Sequence, residues 1–110
     1  MEPNILIVGR KLAVIKILIS ELENYKGILF GADNTTDIQK IIEKEKIDFV
    51  VMGGGLPDEK RKEISTFIAQ INNSIPVHII EREENSSPSD MIDFTNKKAV
   101  EFKVQEVLKR

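Results

Sequence analysis

The chain contains no cysteine and only one histidine, His78. Without cysteine it cannot form disulfide bonds, use a thiol nucleophile or build cysteine-ligated zinc and iron–sulfur sites. A single histidine also excludes a histidine-rich metal site. The charges are nearly balanced, with 16 Lys and Arg residues against 18 Asp and Glu residues and a net charge of −2. A protein with this balance lacks the basic field that attracts nucleic acid.

Long apolar runs are missing as well. The longest apolar stretches are interrupted by Lys11, Lys16 or Glu21, so we expect no membrane-spanning segment. The first residues lead directly into a strand-like run, without the cationic segment and cleavage site of a secretory signal. We therefore expect a cytoplasmic protein.

The sequence does contain a regular alternation of strand-like and helical patterns, in a length of 110 residues that suits one domain. Four apolar runs without polar alternation are typical of strands covered on both faces: residues 5–8, 27–30, 49–52 and 77–80. Apolar residues at helical spacing follow the first three runs, in residues 11–24, after the capping residues 34–37 and after Pro57. This alternation predicts βαβ units with parallel pairing. We expect an α/β, flavodoxin-like three-layer sandwich whose four strands follow the order 2-1-3-4.

The end of the chain has a weaker pattern. We expect residues 82–95 to be a flexible loop, since they begin as a polar, low-complexity stretch, and residues 96–110 to be a C-terminal helix. Helical spacing fits four apolar residues: Val100, Val104, Val107 and Leu108. Strand-like alternation fits three: Val100, Phe102 and Val104. Residues 93–95 are a candidate fifth strand at the sheet edge, and residues 1–110 are expected to form a single domain.

Three segments resemble the receiver domain of two-component response regulators. Residues 48–57 (DFVVMGGGLP) are similar to the third receiver strand, which leads to the phosphoacceptor aspartate and then to a hydrophobic–Pro pair. Residues 4–8 resemble the first receiver strand, and residues 75–77 resemble the start of the fourth. The likeness covers residues 4–81.

The functional positions of receivers are not retained. Gly9 and Arg10 stand where receivers place two acidic residues that hold magnesium, and Gly53 stands where the phosphoacceptor aspartate would be. Glu81 replaces the Ser or Thr that ends the fourth strand, and only 29 residues follow it, so we expect the fourth helix or fifth strand to be shortened or lost. An aspartyl-phosphate needs a carboxylate nucleophile and a metal held by oxygen ligands. The resemblance therefore implies a pseudo-receiver that is not phosphorylated, is not an enzyme and carries no cofactor.

Glycines at the ends of two predicted strands form a candidate ligand crevice. In the expected strand order, Gly9 and Arg10 face Gly53, Gly54 and Gly55 across the point where the order reverses, which is where open α/β sheets bind ligands. Glycine N–H groups, helix N-termini and an arginine there could bind a small anion or a nucleotide phosphate. Alternatively, the triple glycine is a tight turn, because it matches neither dinucleotide-binding nor P-loop fingerprints.

The first predicted helix carries more apolar residues than one buried stripe requires. Val14 and Ile17 widen its apolar surface to more than half of its circumference. Either the C-terminal helix of the same chain covers them, or a protein partner does, including a second copy of this chain.

Two further features are given ordinary structural roles. We expect His78 to be a neutral, partly buried side chain with a hydrogen bond. The basic cluster Lys60-Arg61-Lys62 lies beside acidic residues and without interleaved aromatics, so we interpret it as a solvated face and expect no nucleic acid partner.

Two functional hypotheses follow from these patterns. The first is a non-enzymatic signalling or protein-interaction module that resembles a phosphorylation-incompetent receiver and binds a protein partner or dimerises. The second is a small-ligand binder that holds a phosphate-bearing compound in the glycine crevice. Self-association would favour the first, and stabilisation by a phosphate compound would favour the second.

Overall fold

Four parallel strands form the central sheet of the protein. A computed structural model describes residues 2–22, 25–53, 55–80 and 88–109. In chain order the strands are β1 (Ile5–Val8), β2 (Leu29–Ala32), β3 (Phe49–Met52) and β4 (Val77–Ile79). Their order in the sheet is β2-β1-β3-β4, with every pairing parallel. This confirms the predicted α/β, flavodoxin-like architecture and the 2-1-3-4 strand order.

The burial of the two inner strands, β1 and β3, explains why their sequences lack polar alternation. Every residue of β1 and β3 is buried, because helices cover both faces of the sheet and the flanking strands cover both edges. The register aligns Ile5 with Leu29 on one side and with Phe49 on the other. The outer strands β2 and β4 are mostly half-buried, as expected of edge strands.

Within the described ranges, four helices pack against this sheet: α1 (Leu12–Glu21), α2 (Thr35–Lys44), α3 (Asp58–Ile71) and α4 (Pro88–Leu108). The side chain of Asn34 accepts a hydrogen bond from the Asp37 N–H at 2.8 Å, so α2 begins with its own cap. Pro57 precedes α3, where its fixed φ and missing N–H suit a helix start. Helix α1 ends at Glu21, three residues before the end predicted from its sequence.

Two hydrophobic layers separate the helices from the sheet. Alternate strand residues point to opposite faces, so Ile5 and Ile7 pack with α1 and α4, whereas Leu6 and Val8 pack with α2 and α3. The result is a three-layer sandwich in which α1 and α4 share one side of the sheet.

Helix α4 corrects the prediction for the C-terminal segment. Residues 88–95, expected in a loop, are already helical, and residues 93–95 form no edge strand. The sheet therefore has four strands in the described part of the chain, while the helix after β4 is long, at 21 residues. The part of the predicted loop at residues 82–87 lies outside the described residues.

The physical reason for this error is a buried polar residue. Met91, Thr95, Ala99 and Phe102 form the inward face of α4 at helical spacing. Thr95 can be buried because its hydroxyl donates to the Met91 carbonyl at 2.8 Å. In the sequence, this threonine interrupts the apolar stripe and hides the start of the helix.

Among the described residues, no helix combines the length and the apolar character needed to span a membrane.

Candidate functional site

The structure brings Gly9 and Gly53 to adjacent strand ends, as the sequence predicted. Their backbone N–H groups, however, continue the pairing of the sheet. The Gly9 N–H donates to the Ala32 carbonyl at 3.3 Å, and the Gly53 N–H donates to the Val8 carbonyl at 2.9 Å. Neither group is left to bind an anion.

The β3 end of this crevice is covered by α4. A Cβ atom added to Gly53 would lie 3.6 Å from the Cε atom of Met91, a residue that is itself buried. Gly55 is exposed, with nothing within 4 Å of its corresponding position. Gly54 lies outside the described residues. An apolar side chain thus occupies the space that a polar ligand would need beside Gly53.

The N-terminus of α1 is occupied by a carboxylate of the same chain. The Leu12 N–H donates to Asp33 Oδ2 at 3.1 Å, while the preceding Lys11 side chain makes no capping hydrogen bond. Asn34 donates to the other carboxylate oxygen, Oδ1, at 2.8 Å. Asp33 therefore takes the position that a phosphate would occupy at this helix end, and its charge opposes a second anion. Arg10 is exposed.

The first turn of α3 holds a buried arginine that the sequence analysis assigned wrongly. Lys60 and Lys62 are exposed, but Arg61 is only 7% exposed. Its Nη1 atom donates to the Ile80 carbonyl at 2.9 Å, just beyond the end of β4, and its Nη2 atom bonds to Asp58. The helical spacing of position 61 with the buried Ile64 and Ile68 was the signal that could have identified it.

No protein-family model and no curated protein matches the chain.

Several exposed apolar side chains lie on α1 and α4. Six apolar side chains there are between 45% and 71% exposed: Val14, Ile17, Val100, Val104, Val107 and Leu108. Helix α4 does pack beside α1, as one of the two alternatives for Val14 and Ile17 required. It nevertheless leaves both side chains in solvent.

A cleft of about 490 Å³ lies between the two helices. Glu21 of α1 and Val100 of α4 both line it. Residues three or four positions apart, and seven apart, lie on one face of a helix, so Val14 and Ile17 share the face of Glu21. By the same spacing, Val104 and Val107 share the face of Val100. We call the following five residues the α1–α4 apolar face: Val14, Ile17, Val100, Val104 and Val107.

Polar side chains line the part of the cleft that lies near the amino ends of the strands. Lys103 Nζ bonds to Glu2 Oε1 at 2.9 Å, and the Tyr25 hydroxyl donates to the Pro3 carbonyl. Burial raises the pKa of the Tyr25 hydroxyl, and the carboxylates of Glu2 and Asp48 raise it further. This hydroxyl therefore stays protonated and keeps its donor role.

The end of α4 is exposed to solvent. Phe102 packs against Phe49 with ring centroids 5.8 Å apart, and it is the last α4 residue in the hydrophobic layer. All of residues 104–109 are exposed. This end of the helix is therefore largely open to solvent.

His78 has a packing role in the structure. Its ring meets Phe49 edge to face, with centroids 5.4 Å apart. Burial lowers the pKa of His78, nearby Lys98 lowers it further, and Glu101 partly opposes both effects. The neutral, partly buried state predicted from the sequence agrees with these surroundings. The expected hydrogen bond stays a prediction.

Within the described residues, no three His, Asp or Glu side chains are grouped closely enough to hold a metal ion.

Proposed function

We propose that this protein is a non-enzymatic protein-interaction module, related to receiver domains that cannot be phosphorylated, and that it serves signalling by binding a protein. The observation that carries this proposal is the α1–α4 apolar face. Exposed apolar side chains grouped on two helices beside a cleft are a feature of protein-binding surfaces. The cytoplasmic location expected from the sequence stays a prediction.

The ends of the strands support a function without phosphotransfer. Gly9, Arg10 and Gly53 provide neither a carboxylate nucleophile nor the acidic pair that holds magnesium in receivers. The anion-binding alternative receives less support, since Asp33 caps α1 and the N–H groups of Gly9 and Gly53 are engaged in the sheet.

A first experiment tests chemistry at the strand ends. The protein is incubated with acetyl phosphate and magnesium and its intact mass is measured, and its melting temperature is recorded with inorganic phosphate and with ADP. We expect no phosphoryl adduct and no stabilisation. An adduct would contradict the absence of phosphotransfer, and a rise in melting temperature would favour the ligand-binding alternative.

A second experiment tests the surface itself. Chemical crosslinking in cell extract, followed by mass-spectrometric identification, compares the wild type with the double variant Val14→Glu and Ile17→Glu. The matched control is Thr66→Glu with Ala69→Glu, which has the same spacing on the exposed face of α3. We expect an identified partner, this protein included, to be lost only with the α1 variant. Crosslinks that are equal in all three folded proteins would contradict the proposal.

A further inference from the structure

We draw no further inference here: the strongest candidate, the cleft between α1 and α4 with the exposed apolar side chains beside it, already carries the proposed function, and nothing in the described part of the chain shows what covers it.

Discussion

The carboxylate of Asp33 accepts a hydrogen bond from the backbone N–H of Leu12 at 3.1 Å. A residue after β2 thereby caps a helix that begins 21 positions earlier in the chain. The contact ties two loops together at the carboxyl ends of the strands. It also places a negative charge where an anionic ligand would otherwise be attracted.

Asp33→Ala is expected to lower the free energy of unfolding by about 1 kcal/mol, because α1 has no capping side chain of its own. Asp33→Asn should retain most of the stability, since its amide oxygen can accept the same hydrogen bond. Urea unfolding measures both variants, with the exposed carboxylate Glu43→Ala as the control. Equal stability of Asp33→Ala and the wild type would mean that the cap contributes nothing.

Arg61→Met is expected to cost about 1–3 kcal/mol, because it leaves the Ile80 carbonyl without its donor while preserving much of the side-chain volume. Asp58→Asn should cost less than about 1 kcal/mol, since the Asp58 side chain is 82% exposed. Lys60→Met, next to Arg61 in the sequence but exposed, is the matched control. Equilibrium denaturation of the three variants compares them, and a cost for Lys60→Met equal to that of Arg61→Met would refute the assignment.

Gly31→Ala is expected to destabilise the protein by about 1–3 kcal/mol through overpacking. The added Cβ would lie 2.6 Å from Cγ2 of the buried Ile15, whose branched side chain has little rotamer freedom. Gly55→Ala has open space at the same atom and should change stability by no more than about 0.5 kcal/mol. Thermal and urea unfolding distinguish the two. The prediction is wrong if both substitutions have the same effect.

Protonation of His78 should weaken the fold as the pH falls. Its pKa is lowered in the folded state by burial and by Lys98, so the unfolded chain binds the proton more tightly. Stability is then fully present above the ordinary histidine pKa of about 6.5 and decreases below it, until the folded-state pKa is passed. The free energy of unfolding between pH 8 and pH 5 should therefore fall more steeply for the wild type than for His78→Gln. NMR titration checks the pKa itself, and parallel pH curves for the two proteins would contradict the prediction.

The sheet could be predicted because its strands are specified locally. The uninterrupted apolar residues of β1 and β3 need cover on both faces, which a parallel sheet between helices provides. The candidate crevice was predicted only in part. Gly9 and Gly53 do lie at adjacent strand ends, but no local pattern shows that Met91, 38 positions after Gly53, covers one of them.

The errors at Arg61 and in α4 have a common cause. Both involve a polar side chain that is buried because a distant or preceding carbonyl accepts its hydrogen bond: Ile80 for Arg61 and Met91 for Thr95. From residue type alone, an arginine or a threonine is expected to be exposed to solvent. The position of an acceptor depends on the folded chain, so composition cannot reveal it.

By itself, the sequence determined the alternation of strands and helices, the parallel sheet and the absence of acidic side chains at positions 9, 10 and 53, because these depend on residue type and periodicity. The tertiary structure decided which surfaces remain open. Val14 and Ile17 were candidates from the helical period alone, but their exposure depended on where α4 lies. Only packing against the sheet brings α1 and α4 together on one side, and only that arrangement places a cleft between them.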